Sequence, residues 1–565
     1  MSTANYNMWV CDFETTTDPL DCRVWAYGAY NIYTHEWRCG NSISLFMDFL
    51  NEGTKKIYFQ NAAFDCEFLM TELYRRGYKY NFTKSKNSLK EFKTIISDTG
   101  LFYQLKVTVA NNVYITILDS LKIIPLPVRS IPKAFGLKYS KGDIDYNKDR
   151  PIGYEITKEE EFYIYRDCKI VAQALEFFLD KGMVKMTQGA NALQDFINVI
   201  GGKNRFRSIF PKLNEDTDNA IRKAYRGGFT YLNPKYKEVT VINGAVYDVN
   251  SLYPYSMTKE LPYGEPIHFD GKYEYDGNYP LYTQDFICMF DLKDGYLPTV
   301  QIKNSSRFIE TEYLSSSNGE EVFLSMTSID LELFLEHYNV YNLTYLEGYK
   351  FRSMTGIFDD YINKWSEIKI NSKRDGNKGM YTIAKLMLNS LYGKFGTSPR
   401  VKSKLPVYDD KEDRLRYKLA PEEHRDAVYI PVACFITAQA RKITISAAQK
   451  CYDTFIYADT DSIHLSTQEP PDIEIDSTKL GAWDYEMEFD KAKYIRSKTY
   501  MEHGRRPGTD DVYTWQVKCA GLPDKCKENV TFDNFKPGSV YEGKLQTKRV
   551  SGGMVLIETS FTIKA

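Results

Sequence analysis

No run of eighteen consecutive apolar residues occurs in this 565-residue sequence, which excludes an ordinary membrane-spanning helix. The first residues, Met1 to Val10, lack the basic stretch followed by an apolar one that marks a secretory signal, so a cytoplasmic location is expected. Cysteine is sparse, with ten residues and no CxxC pair. That excludes a disulfide framework, argues against structural zinc and fits free thiols in a reducing compartment. Neither charge sign is in excess, with 73 basic against 75 acidic residues. Net charge therefore gives no direct sign of a nucleic-acid partner and does not exclude one, because acidic metal sites and basic phosphate tracks can cancel. No internal repeat or low-complexity tract is present. Tyrosine is abundant, at 45 residues, which suits stacking on bases and sugars and would equally build a core.

The length exceeds one ordinary core and predicts three or four subdomains. To about residue 187, short strands alternate with helices, which reads as an α/β domain. Trp9–Phe13 and Ile57–Phe59 are apolar enough for buried strands, and Thr157–Lys181 has helical periodicity with a capping box, Thr157 and Glu160, at its start. Thr187–Gly201 reads as a connecting helix and Tyr225–Phe229 as a glycine-broken loop. Val246–Val249 is another buried strand. Residues from about 260 to 357 are rich in Tyr, Gly, Pro and Asn and read as an inserted β and loop region. Tyr361–Lys394 holds two helical stretches with a turn predicted at Ser372–Gly379. Thr397–Asp426 is strongly charged and reads as a hairpin or flexible insertion, Pro431–Tyr452 as a helix and Thr454–Ser466 as strand, turn and strand. The tail after Cys519 reads as a short β or α+β element.

Carboxylates form two groups. Asp12 and Glu14 are i and i+2 on a strand, so they share a face, and a divalent cation is the natural way to relieve their repulsion. An isolated D-x-E is usually only a solvated strand end. Here Asp65 follows a second buried strand, and Tyr163 and Asp167 are i and i+4 on the long helix. The other group comprises Asp248, in Asp248-Val-Asn-Ser-Leu-Tyr-Pro254, and Asp459 with Asp461, in Tyr457-Ala-Asp-Thr-Asp-Ser462. Apolar runs flank the second acidic turn, so it should be a hairpin tip. D-x-D alone would also suit a metal-dependent glycosyltransferase, which would leave the first group unexplained. Between the two acidic motifs, Lys385, Asn389 and Tyr392 share one face of a helix.

The motifs D-x-E, N-x-x-F-D and Y-x-x-x-D, in that order, resemble the DEDD-type 3′→5′ exonucleases with a ribonuclease H-like fold. D-x-x-S-L-Y-P followed about two hundred residues later by Y-x-D-T-D-S resembles the palm of family B DNA polymerases. Over the whole chain the sequence is similar to the protein-primed phage polymerases of the phi29 type. The resemblance implies an α/β and α+β multidomain fold, in which a ribonuclease H-like exonuclease domain precedes a right-hand polymerase domain with palm, fingers, thumb and two insertions. The implied boundaries are 1–187 exonuclease, 188–259 first part of the palm, 260–357 an insertion contacting a terminal protein, 358–396 fingers, 397–427 a second, DNA-encircling insertion, 428–518 second part of the palm and 519–565 thumb.

The roles it implies follow the same motifs. Asp12, Glu14, Asp65 and Asp167 would hold two metal ions, with Tyr163 orienting the attacking water, Lys141 assisting and Asp143 a further ligand. Thr15, Asn61, Phe64, Ser120 and Leu121 would contact the frayed single strand. Asp248, Asp459, Asp461 and the Val249 carbonyl would hold a second pair of ions, Mg2+ with Mn2+ as the alternative, for nucleotidyl transfer from dNTPs. Lys369 and Lys385 would neutralise the triphosphate, Tyr253 would exclude ribonucleotides, and Asn389, Tyr392 and Gly393 would shape the base-pair pocket. Tyr225, Arg226, Gly227 and Gly228 would govern exchange between synthesis and editing, and Thr437, Arg441, Lys498 and Tyr500 would contact template and primer. The implied partners are template and primer DNA and a terminal protein, bound by a monomeric polymerase with strand displacement and high processivity. Departures from the pattern are Gln60 where a His is familiar, Tyr381 where another lysine is familiar, and a turn at Ser372–Gly379 that reads as long. Rival readings are a stand-alone exonuclease and a non-enzymatic replication scaffold, both disfavoured because neither carboxylate group is depleted.

Overall fold

The computed structural model describes residues 7–83, 85–302 and 312–564. The leader expectation for residues 1–6, and the part of the first insertion at 303–311, lie outside the described residues.

The N-terminal domain is built on an eight-stranded sheet whose middle strands are Val24–Asn31, Met8–Thr15, Lys55–Phe59 and Val113–Asp119, in that order. Met8–Thr15 runs parallel to Lys55–Phe59 and antiparallel to Val24–Asn31. Alternation along Met8–Thr15 decides what each face receives. Trp9, Cys11 and Phe13 enter one core with Phe46, Phe49 and Phe68, whereas Val10 packs with Ile164, Cys168 and Val171 of the helix Lys158–Leu179. Asp12 and Glu14 are in phase with Val10, so the apolar seam against that helix ends in carboxylates. The predicted capping box is formed: the Thr157 hydroxyl accepts from the Glu160 N–H, and the Glu160 carboxylate accepts from the Thr157 N–H. Gly28, opposite Asp12, lets the helix come close, because a Cβ there would stand 2.4 Å from Ile164 Cγ2.

A second, seven-stranded antiparallel sheet has the order Thr514–Cys519, Thr499–Arg505, Trp483–Arg496, Thr240–Val249, Ser462–Leu465, Phe455–Asp459, Thr230–Leu232. The helix Ile430–Lys450 covers one face, where Ala440, Ile445 and Ala448 pack on Tyr247, Val249, Ile463 and Leu465. Burying one such aliphatic side chain stabilises the fold by roughly 1.5–3 kcal/mol. The opposite face carries Tyr457, Tyr494 and Tyr500. Between the two halves of this sheet, a four-stranded antiparallel sheet including Leu261–Asp270 and the 17-residue strand Tyr338–Met354 carries the short helix Ser328–His337.

The helices Asp359–Arg374 and Lys378–Ser390 pack against each other. Their connection corrects the predicted long turn. Only Asp375, Gly376 and Asn377 lie between them, with Gly376 at φ +69° and the Asn377 side chain capping the second helix at Met380. Ser372 to Arg374 belong to the first helix and Lys378 and Gly379 to the second, and the Asn371, Ser372 and Lys373 carbonyls accept from the N–H groups of Asp375, Asn377 and Gly376 in the connection.

The charged segment forms the hairpin Lys404–Asp409 and Arg414–Leu419, and the tail ends in the hairpin Val540–Val550 and Gly553–Thr562. Both reach back to the N-terminal helix Ala62–Arg75. Glu67, 1 % exposed, accepts from Arg549 at 2.6 Å and from the Tyr417 hydroxyl at 2.8 Å. Arg75 pairs with Asp413, which also accepts from Ser551 at 2.7 Å. Met554 and Val555 complete the same hydrophobic core as Phe68.

Two candidate active sites

The first cleft, of about 190 Å3, is lined by Asp12, Glu14, Thr15, Phe64, Lys141, Tyr146, Tyr163, Val555 and Leu556, among others. Asp65 and Asp167 stand just behind it, 5 % and 4 % exposed. Asp65 Oδ1 accepts from the Phe13 N–H at 3.2 Å, which ties the helix to the strand between Asp12 and Glu14. Lys141 Nζ lies 2.7 Å from Asp167 Oδ2, and the Tyr163 and Tyr146 hydroxyls are 2.8 Å apart. Burial, then the neighbouring Asp167, pushes the Asp12 carboxyl up to about 7, with Lys141 pulling back. Burial and Asp12 likewise push Glu14 and Asp65 well above the carboxylate range.

The second cleft, of about 540 Å3, is lined by Asp248, Val249, Tyr253, Lys369, Tyr381, Lys385, Asn389, Tyr392 and Asp461, among others. Strand pairing makes it: Asp248 lies opposite Ser462, and the Val249 N–H donates to the Asp461 carbonyl at 2.7 Å. The turn between Asp459 and Asp461 needs Thr460 at φ +69°, held by its N–H donating to the Phe229 carbonyl and its own carbonyl accepting from Thr444. Gly228 abuts this turn, since a Cβ there would sit 2.6 Å from Thr460 Cγ2. Tyr253 stacks on Tyr392 with centroids 3.9 Å apart. Burial, then Asp461, Glu486 and Asp484, pushes Asp248 up to about 8, opposed by Lys385. Burial and the nearby Lys385 and Lys373 lower Lys369.

Both donor sets suit hard cations. The first gathers four carboxylates against one ammonium, and Asp167 Oδ1 is buried without a hydrogen-bond partner. Among the described residues, no three carboxylates of either cleft bring oxygens within 4.8 Å of one another. The oxygens are thus set wider than a single ion would gather, with Lys141 bridging part of the gap in the first cleft.

The other predicted contact residues are placed as follows. Arg441 is 3 % exposed and turned inward, pairing with Asp330 at 2.7 Å and donating to the Arg226 and Gly227 carbonyls. It therefore holds the Tyr225–Gly228 loop. Thr437 is buried and donates to the Ala433 carbonyl within its own helix. Arg226 folds back on the Lys223 and Tyr225 carbonyls. Ser120 is fully buried and donates to Gln60, whose own amide donates to the Leu126 carbonyl, while Leu121 is half-buried beside it. Asp143 and Gly393 are exposed and line neither cleft. Asp459 faces Lys498 Nζ at 3.0 Å instead of the second cleft, and Tyr500 lies 7 % exposed among tyrosines. Asn61 is exposed, at φ +69° before its helix.

Sequence reasoning missed Tyr146, Val555 and Leu556 in the first cleft and Asp484 and Glu486 beside Asp248. The last pair had a signal, an i and i+2 carboxylate pattern on the strand Trp483–Arg496 that repeats the D-x-E logic.

Comparison with known proteins identifies the family. The family model described as DNA polymerase type B, organellar and viral, matches residues 47–480. The chain is 46 % identical to the DNA polymerase of Bacillus phage phi29 over 99 % of both chains, and 34 % identical to that of Streptococcus phage Cp-1 over 98 % of both. Its structure is similar to that of Phi29 DNA polymerase complexed with primer-template DNA and incoming nucleotide substrates, with a TM-score of 0.93 and 44 % identity over 99 % of this chain and 100 % of that one. With carboxylate clefts of this kind in a chain matched from end to end, the protein belongs to the type B DNA polymerases of organelles and viruses and is a phage-type DNA polymerase similar to that of phi29.

Proposed function

We propose that the chain carries out protein-primed, template-directed DNA synthesis in its second cleft and 3′→5′ proofreading in its first. The observation that carries this reading is the second cleft itself, where Asp248 and Asp461 face Lys369 and Lys385 across about 540 Å3 walled by Tyr253, Asn389 and Tyr392. In this reading the seven-stranded sheet is the palm, the pair of helices at 359–390 the fingers and the C-terminal hairpin the thumb. The segments 260–357 and 397–427 are the insertions that meet a terminal protein and help encircle DNA. Asp248 and Asp461, with the Val249 carbonyl, would hold two divalent ions, with Asp459 engaged by Lys498 beside them, and Asp12, Glu14, Asp65 and Asp167 would hold two more. Such ions, Mg2+ or Mn2+, supply Lewis acidity to the attacking and leaving oxygens. Lys369 and Lys385 neutralise the triphosphate, and Tyr253 closes the space beside the sugar through its stack on Tyr392. In the first cleft, Tyr163, fixed by Tyr146, orients the attacking water, and Phe64 with Leu556 walls the single strand. Relatives of the chain are phage polymerases, and one is solved with primer-template DNA and nucleotides, which supports these partners.

The test is extension of a 5′-labelled primer on a circular single-stranded template with Mg2+ and dNTPs and no accessory protein. Products longer than one circle are expected, which requires strand displacement. A protein that only shortens the primer at every dNTP concentration would leave the exonuclease reading alone standing.

The raised carboxyls make a second prediction. Asp12 and Asp248 keep their protons to about 7 and about 8 in the folded chain but lose them near 4 when unfolded. The folded state then binds more protons across that window, so stability is greatest at its acid end and falls as pH rises through 7 and 8. In EDTA the melting temperature should therefore decline from about pH 5 to 8, and Mg2+, which binds the ionised form, should flatten the decline. A metal-free melting temperature that rises over this range would contradict the assignment.

A further inference from the structure

His464 and Glu502 are each 2 % exposed, on the strands Ser462–Leu465 and Thr499–Arg505, which two other strands of the sheet separate. The sheet coils enough for them to meet. His464 Nδ1 lies 2.7 Å from Glu502 Oε1, and the Tyr494 hydroxyl donates to the same oxygen at 2.6 Å. The other ring nitrogen, Nε2, faces the Ser462 hydroxyl at 3.4 Å. The rings of Tyr457, Tyr494 and Tyr500 enclose the imidazole, with centroids 5.2, 5.7 and 5.1 Å from it. The Tyr457 hydroxyl accepts from the Lys498 N–H at 2.8 Å. Lys498 is held at φ +56°, a conformation disfavoured for lysine, and its Nζ lies 3.0 Å from Asp459.

Polar groups buried so deeply add little stability over a well-packed apolar cluster, but they impose one geometry. The geometry here joins Ser462, next to Asp461, to the strand that begins after Lys498. None of His464, Glu502 or Tyr494 is open to a ligand. We propose that His464 and Glu502 are positioning residues for the primer terminus, fixing the turn at Lys498 against the Asp459–Asp461 hairpin so that Lys498 presents the primer end to Asp461. This rests on the polymerase reading above.

The test compares Glu502→Leu, His464→Leu and Glu502→Gln with wild type. The dNTP concentration at which a paired 5′-labelled primer switches from net shortening to net extension should rise about tenfold for the two leucine variants, as should the Kd for primer-template DNA. In an Asp12→Ala background, KM for dNTP should stay unchanged, as should single-strand degradation in the exonuclease-proficient variants. Glu502→Gln should stay close to wild type, because its amide oxygen still accepts from both His464 and Tyr494. The proposal is overturned if Glu502→Leu moves neither the switch point nor DNA affinity. It is also overturned if all three variants lose extension and single-strand degradation together with melting temperature, the pattern of a merely structural role. A wild type that never extends would instead overturn the polymerase reading.

Discussion

Asp461→Ala is expected to lower primer extension on the order of a thousandfold while leaving degradation of the same primer at the wild-type rate. The backbone at this position is held without the side chain. The Asp461 carbonyl accepts from Val249, and the Asp461 N–H donates to the Asp459 carbonyl at 2.8 Å. The substitution therefore removes a charge and not a turn. Burial and the nearby Asp459 and Glu486 already push this carboxyl upward, with Lys498 opposing, so its removal relieves repulsion and should cost no folding stability. The measurement is single-turnover extension at saturating dNTP beside a degradation time course without dNTP. Extension within tenfold of wild type would remove Asp461 from the chemistry.

Asp12→Ala should give the reciprocal outcome, a fall in degradation on the order of a hundredfold to a thousandfold with extension preserved. Asp12 is paired through its strand with Gly28, and Lys141 remains on Asp167, so the cleft keeps its shape. What goes is a carboxyl raised to about 7 by burial and Asp167. The two clefts share no lining residue, so the losses should not cross over. A variant that loses both activities together would mean that the clefts are one functional unit.

The carboxylates were legible because their signals are local. Period two along Met8–Thr15 put Asp12 and Glu14 on one face, period four along Lys158–Leu179 did the same for Tyr163 and Asp167, and apolar runs on either side of Asp459 and Asp461 announced a hairpin. Direction was harder to read than location. Ser120, Thr437 and Arg441 have the polarity of DNA contacts, but their partners Gln60, the helix carbonyls and Asp330 absorb them. For Arg441 that partner lies more than a hundred residues away, where no periodicity reaches. The turn at Asp375–Asn377 was misjudged because Ser372–Arg374 are polar without being irregular. Val555 and Leu556 in the first cleft had no signal at all, since their place depends on how the last hairpin docks.

That docking has a consequence for how the chain is made. Phe68, Met554 and Val555 share one core, and Glu67 pairs with Arg549, so the N-terminal domain is finished by residues synthesised nearly five hundred positions later. Until the last hairpin leaves the ribosome, Glu67 lacks its guanidinium partner and a patch of aromatic surface stays open, a state prone to association. The contacts that complete the domain are also among the most distant in sequence, so they should form late in folding, after the two sheets are assembled.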